Sequence, residues 1–555
     1  MTGPFSSPAD AWQRIAARTD RTLTITDEVT ETLTHQALAE RAASYLPALR
    51  ELGVGRGEPV LITVHTTIDF ICAYLALMLH GAVPVPLPPR QVLKGSGPFL
   101  ARLRPLLPHH RRLICTPAEL EEVGPTSPAE CDISTFPWLA ERRDADFGRS
   151  AAQQLAAGAT ADWLLPAMDD DAYVQYTSGS TAAPRGIVIT HRNLLANLDA
   201  TGRGLDVRPT DVVASWLPLH HDMGLVTSLL TALFHGIDAV FTLPQRFLYD
   251  PLGFLRLTTH HNATHALMPN FALEWLVNAR NKPHATLHGI DMSSLRRLTI
   301  ASEPVNADSM RRFNAAYTEF GLADTALCSG YGLAEATCAV SLSVPGTGFR
   351  TEDFEGTEVV TGGRLLQGYE ARIDAEPGRR AGTIKLRGPG MSASSYIDGT
   401  RVDALEKDGF YDTRDVGYLV EDEVVILGRQ DEVIILHGEN RFPYDIESVV
   451  RAESRQGRSR VACFGHLGRI VVVREGRGST PADEAEDDGL RQRITKATGL
   501  PIDELVTVPH GAVPVTTSGK IKRAAIAEAY RAGTLPTLTT RTWTPCTPAP
   551  RNSVR

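Results

Sequence analysis

The sequence predicts an α/β fold, with a large N-terminal domain made of several subdomains and a small, mobile α+β domain at the C-terminal end. The chain of 555 residues is too long for one hydrophobic core. Short runs of β-branched residues alternate along it with longer amphipathic segments. Between residues 423 and 435 a polar break separates two apolar runs, and further strand-like runs follow this break.

The individual elements follow from these patterns. Residues 59–64 are typical of a buried strand, and residues 82–87 are typical of a strand or an extended edge. The apolar residues 70–79 between them predict a helix. In the C-terminal part, residues 470–473 predict a strand, and the polar residues 476–488 predict an exposed loop. We therefore expect domains at residues 1–429 and 430–536. The Thr/Pro-rich residues 537–555 are expected to form a flexible tail.

Composition excludes several classes of function. A formal net charge of −9 argues against a nucleic-acid partner. The seven cysteines are scattered without a CxxC pair, which favours a reduced, cytoplasmic protein over a zinc site or a disulfide framework. The first twenty residues lack the pattern of a secretory signal. The most apolar stretch, residues 70–79, is too short to span a membrane.

A loop rich in Gly, Ser and Thr is the first candidate for chemistry. It comprises Thr177, Ser178, Gly179, Ser180 and Thr181, with Arg185 and Gly186 shortly after. Such residues let the backbone turn sharply and direct N–H and hydroxyl donors at one point, as phosphate-binding loops do. The loop lacks the GK[ST] ending of a Walker A motif. Taken alone, it is equally compatible with a polar surface loop.

Further motifs follow in a fixed order. They are residues 215–225 (SWLPLHHDMGL), 301–304 (ASEP), 330–337 (GYGLAEAT), 411–415 (YDTRD), 428–431 (GRQD) and 514–522 (PVTTSGKIK). Over roughly residues 32–528 the chain resembles the acyl- and aryl-adenylating superfamily. The runs at 221–225 (HDMGL), 269–273 (PNFAL) and 441–447 (RFPYDIE) are most similar to those of fatty acyl-AMP ligases.

This resemblance implies an enzyme that uses ATP and Mg²⁺. It would activate a carboxylic acid to acyl-AMP with release of pyrophosphate. It would then transfer the acyl group to the phosphopantetheine thiol of an acyl carrier protein, in natural-product or lipid biosynthesis. The small domain would turn on a hinge between the two half-reactions, with Asp431 as the hinge residue.

The resemblance also implies roles for individual residues. Lys520 would be the cation between the carboxylate and the α-phosphate, where two anions must meet. Glu335 would hold Mg²⁺, and His221 would lie between phosphate and acid. The remaining contacts to the nucleotide would come from the loop at 177–185 and from Ser302, Glu303, Pro304, Tyr331, Gly332, Asp415 and Arg429. Each of these residues also has a purely structural interpretation; Glu335, for example, could be an acid at a helix N-terminus.

The chain departs from the family pattern at three points. Arg185 stands where lysine is usual, and Arg414 interrupts the usual TGD. The segment at 341–361 is shorter than the insertion that restrains the small domain in fatty acyl-AMP ligases. Three alternatives therefore stay open: an acyl- or aryl-CoA ligase, a homologue that activates nitrite for diazotisation, and a nucleotide-binding relative without activity. The clustered Arg451, Arg455, Arg458 and Arg460 suit an acidic carrier protein or CoA phosphates equally.

Overall fold

The predicted α/β architecture is confirmed. A computed structural model describes residues 5–91, 96–124, 131–158, 165–177, 184–436, 439–453, 460–467, 469–476, 481–498, 500–516 and 520–543. The α-helices of this part of the chain are Pro8–Ala16 (α1), His35–Ala43 (α2), Leu46–Glu51 (α3), Ile68–His80 (α4), Ser96–Leu103 (α5), Pro117–Val123 (α6), Phe136–Glu141 (α7), Ala145–Ala156 (α8), His191–Gly204 (α9), Thr231–His235 (α10), Pro244–Tyr249 (α11), Pro251–His260 (α12), Asn270–Arg280 (α13), Ala307–Tyr317 (α14), Pro443–Glu453 (α15), Pro481–Thr498 (α16) and Arg523–Arg531 (α17). A wider π-helical segment, Met223–Leu230, leads into α10.

One half of the largest sheet is mainly parallel and carries the predicted site at one edge. Its strands are Thr22–Thr26 (β1), Thr30–Thr34 (β2), Val212–Ser215 (β9), Asp238–Thr242 (β10), His265–Met268 (β11), Arg297–Ile300 (β12) and Leu327–Gly332 (β13). Their order is β13-β12-β11-β9-β10-β1-β2, and only β2 runs antiparallel to its neighbour. The motifs at 215–225, 301–304 and 330–337 begin within or just after strands β9, β12 and β13. Because the carboxyl ends of parallel strands share one edge, these motifs lie together.

The other half of this sheet is antiparallel. It consists of Ala339–Leu342 (β14), Thr351–Phe354 (β15), Thr357–Leu365 (β16), Glu370–Asp374 (β17), Gly382–Arg387 (β18), Tyr411–Val420 (β21) and Glu423–Arg429 (β22). Strand β14 pairs antiparallel with β13 and so joins the two halves of the sheet, and β21 and β22 form a hairpin. This hairpin brings the motifs at 411–415 and 428–431 to the site.

Two smaller sheets complete the large domain. The first is parallel, in the order β4-β3-β5-β6, and consists of Pro59–Thr63 (β3), Val83–Leu87 (β4), Arg112–Cys115 (β5) and Asp132–Thr135 (β6). The second is antiparallel, in the order β20-β19-β8-β7, and consists of Asp171–Thr177 (β7), Arg185–Thr190 (β8), Ser394–Ile397 (β19) and Thr400–Asp403 (β20). The predicted strands at 59–64 and 82–87 and the predicted helix at 70–79 are confirmed, with β4 beginning one residue later than expected. Helix α4 is buried all round, which explains its uninterrupted apolar sequence.

The small domain has its own core. A hairpin of Ile434–Leu436 (β23) and Glu439–Arg441 (β24) leads into a mixed sheet of Val461–His466 (β25), Arg469–Glu475 (β26), Glu504–Val508 (β27) and Thr539–Thr542 (β28). Alternate residues of this sheet face opposite sides. Cys463 and Val472 pack in a cluster with residues of α15 and α16, whereas Phe464 and Val473 pack in a second cluster with α17.

Two expectations for this region are wrong. The polar residues 476–488 are not one loop, because α16 begins at Pro481. The flexible tail does not begin at residue 537, because β28 pairs with β27 and Trp543 packs against the core. Asp488 of α16 accepts hydrogen bonds from Arg541 and from the Trp543 indole, and this fixes both segments. Residues 544–555 of the expected tail lie outside the described part of the chain.

No helix within the described residues is long and apolar enough to cross a membrane.

Candidate active site

The phosphate-loop motif follows β7 and precedes β8 in the chain. Strands β7 and β8 pair antiparallel, with Thr177 directly opposite Arg185. The loop residues Ser178, Gly179, Ser180 and Thr181 lie outside the described residues. The Arg185 guanidinium is bound twice, by Ser395 Oγ at 3.1 Å from Nε and by Tyr411 Oη at 3.3 Å from Nη1. The structure therefore ties the base of the predicted loop to strands β19 and β21.

Glu335 lies on a short 3₁₀ turn after β13, and the backbone of this turn is held firmly. The Glu335 carbonyl accepts a hydrogen bond from Ser392 N at 2.7 Å. The next carbonyl, of Ala336, accepts from Asn197 Nδ2 at 3.2 Å. Thr337 has a φ of +69°, which is costly for a residue other than glycine, and its hydroxyl donates to the Gly390 carbonyl at 2.8 Å. These contacts position the Glu335 side chain.

The Glu335 carboxylate suits a divalent cation carried by a triphosphate. Oε1 accepts a hydrogen bond from Tyr411 Oη at 2.9 Å, and within the described residues Oε2 accepts none. The described part of the chain also holds no cluster of three His, Cys, Asp or Glu that could bind a metal by itself. Mg²⁺ commonly takes one or two carboxylates and completes its shell with substrate phosphates and water. The residues present fit that pattern.

Asp415 is the centre of a second group. Its Oδ2 accepts from Tyr331 Oη at 2.6 Å, and its Oδ1 accepts from Arg429 Nη1 at 3.3 Å. Burial raises the pKa of Asp415 to about 6, while the nearby charges of Arg429 and Lys520 oppose this rise. The carboxylate is therefore held between a phenol and a guanidinium.

The turn after β12 forms a further wall. Ser302 has a φ of +77°, so its backbone is strained as at many binding sites. Glu303 accepts the backbone N–H of Phe271 at 2.7 Å. Glu303 and Pro304 line a cleft between the two domains, and Arg451 of α15 lines the same cleft. Burial raises the pKa of Glu303, and the charges of Arg451 and Lys520 act against it.

His221 and Asp222 form a close pair. His221 Nδ1 lies 2.6 Å from Asp222 Oδ1, and the same oxygen accepts the N–H of Met223 at 2.7 Å. Burial opposes ionisation of Asp222, but the charges of His221 and Lys520 outweigh it and lower the pKa of this carboxyl group. Asp222 thus fixes the imidazole ring, so that Nε2 is the atom available to a ligand.

Lys520 belongs to the small domain, and its charge influences carboxylates of the large domain. Its loop is closed by two hydrogen bonds, from Lys520 N to Thr516 Oγ1 at 3.0 Å and from Thr516 N to the Lys520 carbonyl at 2.7 Å. Its ammonium is close enough to act on the pKa values of Asp222, Glu303 and Asp415. All three carboxylates belong to the large domain. The two domains therefore share one site.

The hinge region joins these parts. Arg429 Nε donates to Asp431 Oδ1 at 3.1 Å, which ties Asp431 to the large domain. The next residue, Glu432, accepts instead from Arg523 Nη1 of α17 at 3.0 Å. Consecutive side chains thus belong to different domains, and the change of domain falls at the predicted hinge. The role of Asp431 as the hinge residue stays a prediction.

The structure brings most of the predicted residues together, and it adds one that the sequence had not assigned. Tyr411 belongs to the motif at 411–415, yet only Asp415 had been given a role. In a strand, alternate residues share a face, and Tyr411, Thr413 and Asp415 are buried or half-buried while Asp412 and Arg414 are exposed. This period of two was the available signal. Gly332 contributes by close packing, since a Cβ there would lie 2.0 Å from the Cys338 carbonyl oxygen.

Comparison with known proteins identifies the family of this chain. Residues 12–396 match the family model of the AMP-binding enzyme. A putative fatty-acid–CoA ligase, FadD25 of Mycobacterium tuberculosis, is 28% identical, over 91% of this chain and 93% of the relative. A probable long-chain-fatty-acid–AMP ligase, FadD30 of the same organism, is 29% identical, over 86% of this chain and 88% of the relative. A structure from a study of fatty acyl-adenylate ligases of E. coli and L. pneumophila superimposes with a TM-score of 0.84 at 27% identity, covering 95% of this chain and 98% of the other.

Fold and site together define an enzyme of the acid–AMP ligase class. The chain belongs to the AMP-binding enzyme family, as its motifs predicted, and the use of ATP follows from this membership.

Proposed function

We propose that this protein activates a fatty acid or a related carboxylic acid with ATP, forming acyl-AMP and pyrophosphate. It then transfers the acyl group to the phosphopantetheine thiol of an acyl carrier protein, in natural-product or lipid biosynthesis in the cytoplasm. The observation that carries the first step is the placement of Lys520. Its charge favours the ionised forms of Asp222 and Asp415 in the large domain, as a nearby cation does.

This arrangement suits attack of a carboxylate on the α-phosphorus. An acid oxygen bonds to the phosphorus while the bond to the bridging oxygen of pyrophosphate breaks. Both reactants are anions, so a fixed cation at the point of approach lowers the barrier. Lys520 supplies this charge, and His221, held by Asp222, borders the same space. Asp415 and Arg429 hold the ribose and so fix the direction of attack.

Glu335 would hold Mg²⁺ through Oε2, with Oε1 retained by Tyr411. When bound, the cation would neutralise charge on the triphosphate and on the leaving pyrophosphate. The triphosphate would be oriented by the loop between β7 and β8, whose base Arg185 anchors.

The contact between the domains supports a carrier protein as acceptor. The segment after the motif at 330–337 forms the hairpin β15–β16, which is short but lies beside the small domain. Phe354 and Glu358 of this hairpin line the interdomain cleft together with Phe442 and Tyr444. A hairpin in this place restrains the small domain, as the longer insertion does in the fatty acyl-AMP ligases that the sequence resembles. The name of FadD25 keeps an acyl-CoA ligase as the second candidate.

The test is pyrophosphate release across a panel of acids, with wild type and Lys520→Ala. We expect at least one acid to support release by wild type, and the variant to be at least about a hundredfold slower, as for loss of one group that stabilises developing charge. Near-normal acyl-AMP formation by a folded Lys520→Ala protein would contradict the assignment. Formation of a product with a new N–N bond from nitrite would show that the enzyme activates nitrite for diazotisation and not a carboxylic acid.

The acceptor is decided in the same assay. A competent acid and ATP are incubated with equal concentrations of CoA and of phosphopantetheinylated carrier protein. We expect acylated carrier to form. Rapid acyl-CoA formation without acylated carrier would establish the ligase alternative instead.

A further inference from the structure

Three distant segments of the chain meet at the hydroxyl of Tyr411. This residue begins β21, and its Oη donates to Glu335 Oε1 at 2.9 Å. The same oxygen accepts a hydrogen bond from Arg185 Nη1, at the start of β8, at 3.3 Å. The Arg185 guanidinium also lies 5.9 Å from the centroid of the Tyr411 ring. One hydroxyl therefore links the base of the phosphate loop to the carboxylate that suits a metal.

The direction of these hydrogen bonds is fixed by chemistry. A guanidinium can only donate and a carboxylate can only accept, whereas a phenol does both. Tyr411 is 6% exposed. Burial, with the charge of Glu335, raises the pKa of Tyr411 well above its ordinary value, so the hydroxyl keeps its proton. A phenylalanine at this position would preserve the ring and remove both bonds.

Arg185 is held at a second point, which explains how it can replace the usual lysine. Its Nε donates to Ser395 Oγ on β19 at 3.1 Å. A guanidinium has several donors in a fixed plane, so it can bind Ser395 and Tyr411 at the same time. An ammonium group would have no such plane to align with both partners.

We propose that Tyr411 is a positioning residue that couples the phosphate loop to the cation site, given the proposed function. Through Glu335 Oε1 it sets the orientation of the carboxylate and leaves Oε2 for a divalent cation on the triphosphate. Through Arg185 it holds the β8 end of the loop at a constant distance from that carboxylate. The consequence is that the metal and the nucleotide bind as one unit.

The experiment measures nucleotide binding, without turnover. An ATP analogue with a methylene group between the α and β phosphorus atoms is titrated into the full-length protein, with and without Mg²⁺, by calorimetry. The quantity of interest is the dissociation constant without Mg²⁺ divided by the dissociation constant with Mg²⁺. We expect Tyr411→Phe to lower this ratio about tenfold, the effect of losing a hydrogen bond to a charged group. Tyr317→Phe is the matched control, since the Tyr317 hydroxyl is also buried and donates to the Leu276 carbonyl at 2.9 Å.

A double-mutant comparison separates positioning from general destabilisation. If Tyr411 acts through Glu335, then Tyr411→Phe should have little further effect on the ratio in a Glu335→Gln background. An unchanged ratio in Tyr411→Phe, or full additivity with Glu335→Gln, would overturn the proposal. Failure of the wild type to adenylate any acid would instead defeat the proposed function, while the binding ratio would still decide the role of Tyr411.

Discussion

At the scale of single residues, Asp415 experiences opposing influences on its charge. Burial raises its pKa to about 6 from an ordinary value of 3.8, and Arg429, Tyr331 and Lys520 favour the ionised form. The nearby Glu335 acts in the same direction as burial. Because the folded protein binds this proton more tightly than the unfolded chain, Asp415 lowers stability above about pH 6. This cost is relieved as the pH falls towards the ordinary value.

The same pKa predicts how nucleoside binding depends on pH. The ribose hydroxyls need a charged acceptor, so adenosine affinity should be constant above about pH 6 and fall by up to about tenfold per pH unit below it. Adenosine is the right probe because it has no phosphate that titrates in this range. Calorimetry at a series of pH values measures the effect. Asp415→Asn should bind weakly and without this step, and the same step in that variant would assign the titration to another group.

The pairing of Asp415 with Arg429 is a feature of the site that the sequence does not predict. The hairpin of β21 and β22 turns at Glu421 and Asp422, and a regular register would place Asp415 opposite Gly428. The structure has a bulge at Val416 and Gly417, which moves Asp415 opposite Arg429. The motifs identify both residues. Their pairing depends on one extra residue in a strand, and no local pattern reveals it.

At the scale of secondary-structure elements, α17 begins with a buried charge that organises the small domain. Arg523 donates from Nε and Nη2 to the two oxygens of Glu447, each at 2.7 Å, and Glu447 is fully buried. Glu447 also accepts from Arg451 at 2.8 Å and from Cys463 N at 2.9 Å. Since Arg523 follows Lys520 by three residues, this network anchors the loop that carries the predicted catalytic cation.

Removing this arginine should therefore destabilise the small domain. We expect Arg523→Met to lower its free energy of unfolding by about 3–5 kcal/mol, because Glu447 and Glu432 lose a buried partner. The control is Arg469→Met, whose ion pair with Glu504 is longer, at 4.0 Å, and more exposed. That change should cost less than about 1 kcal/mol. Hydrogen exchange of the β26 amides measures the free energy of unfolding of both variants. Equal effects of the two substitutions would show that the buried network stabilises the domain no more than the exposed ion pair does.

The elements that the sequence did not predict are held by distant partners. Strand β28 has the sequence TTRT, which carries no apolar alternation, and it is ordered by pairing with β27. Helix α16 begins in an acidic, polar stretch, and Asp487 is fixed there by Arg474 of β26. In contrast, β3, β4 and α4 are predictable because their apolar residues are buried locally. Local sequence patterns therefore predict the buried strands and helix, whereas contacts with distant segments determine elements such as β28 and α16.

At the scale of the whole molecule, we propose that the present arrangement of the two domains is the one used for adenylation, with Lys520 at the shared site. Two of the four arginines that the sequence suggested for an acidic partner make contacts within the small domain itself. Arg451 binds Glu447 and lines the cleft, and Arg460 donates to the Val513 carbonyl at 3.2 Å. Arg455 and Arg458 lie outside the described residues. These contacts reduce what Arg451 and Arg460 can offer to the proposed carrier protein in the present arrangement, and a turn of the small domain would change this.

The predicted hinge puts the backbone rotation of such a turn where the side chains change domain, between Asp431 and Glu432. Proline fixes φ near the helical range and so restricts the rotation that a hinge needs. The 3₁₀ turn Gln430–Glu432 already has helical character, so a proline at 431 is compatible with the present arrangement. We therefore expect Asp431→Pro to retain acyl-AMP formation within about threefold and to slow acyl transfer to the thiol by about a hundredfold or more, a loss of about 3 kcal/mol.

Single-turnover measurements of the two steps, with acyl-AMP formed before the acceptor is added, separate them. Asp431→Ala is the matched control, since it removes the contact with Arg429 without restricting φ, and it should keep both steps. Equal losses in both half-reactions for Asp431→Pro, or equal behaviour of the two variants, would place the pivot elsewhere in the chain.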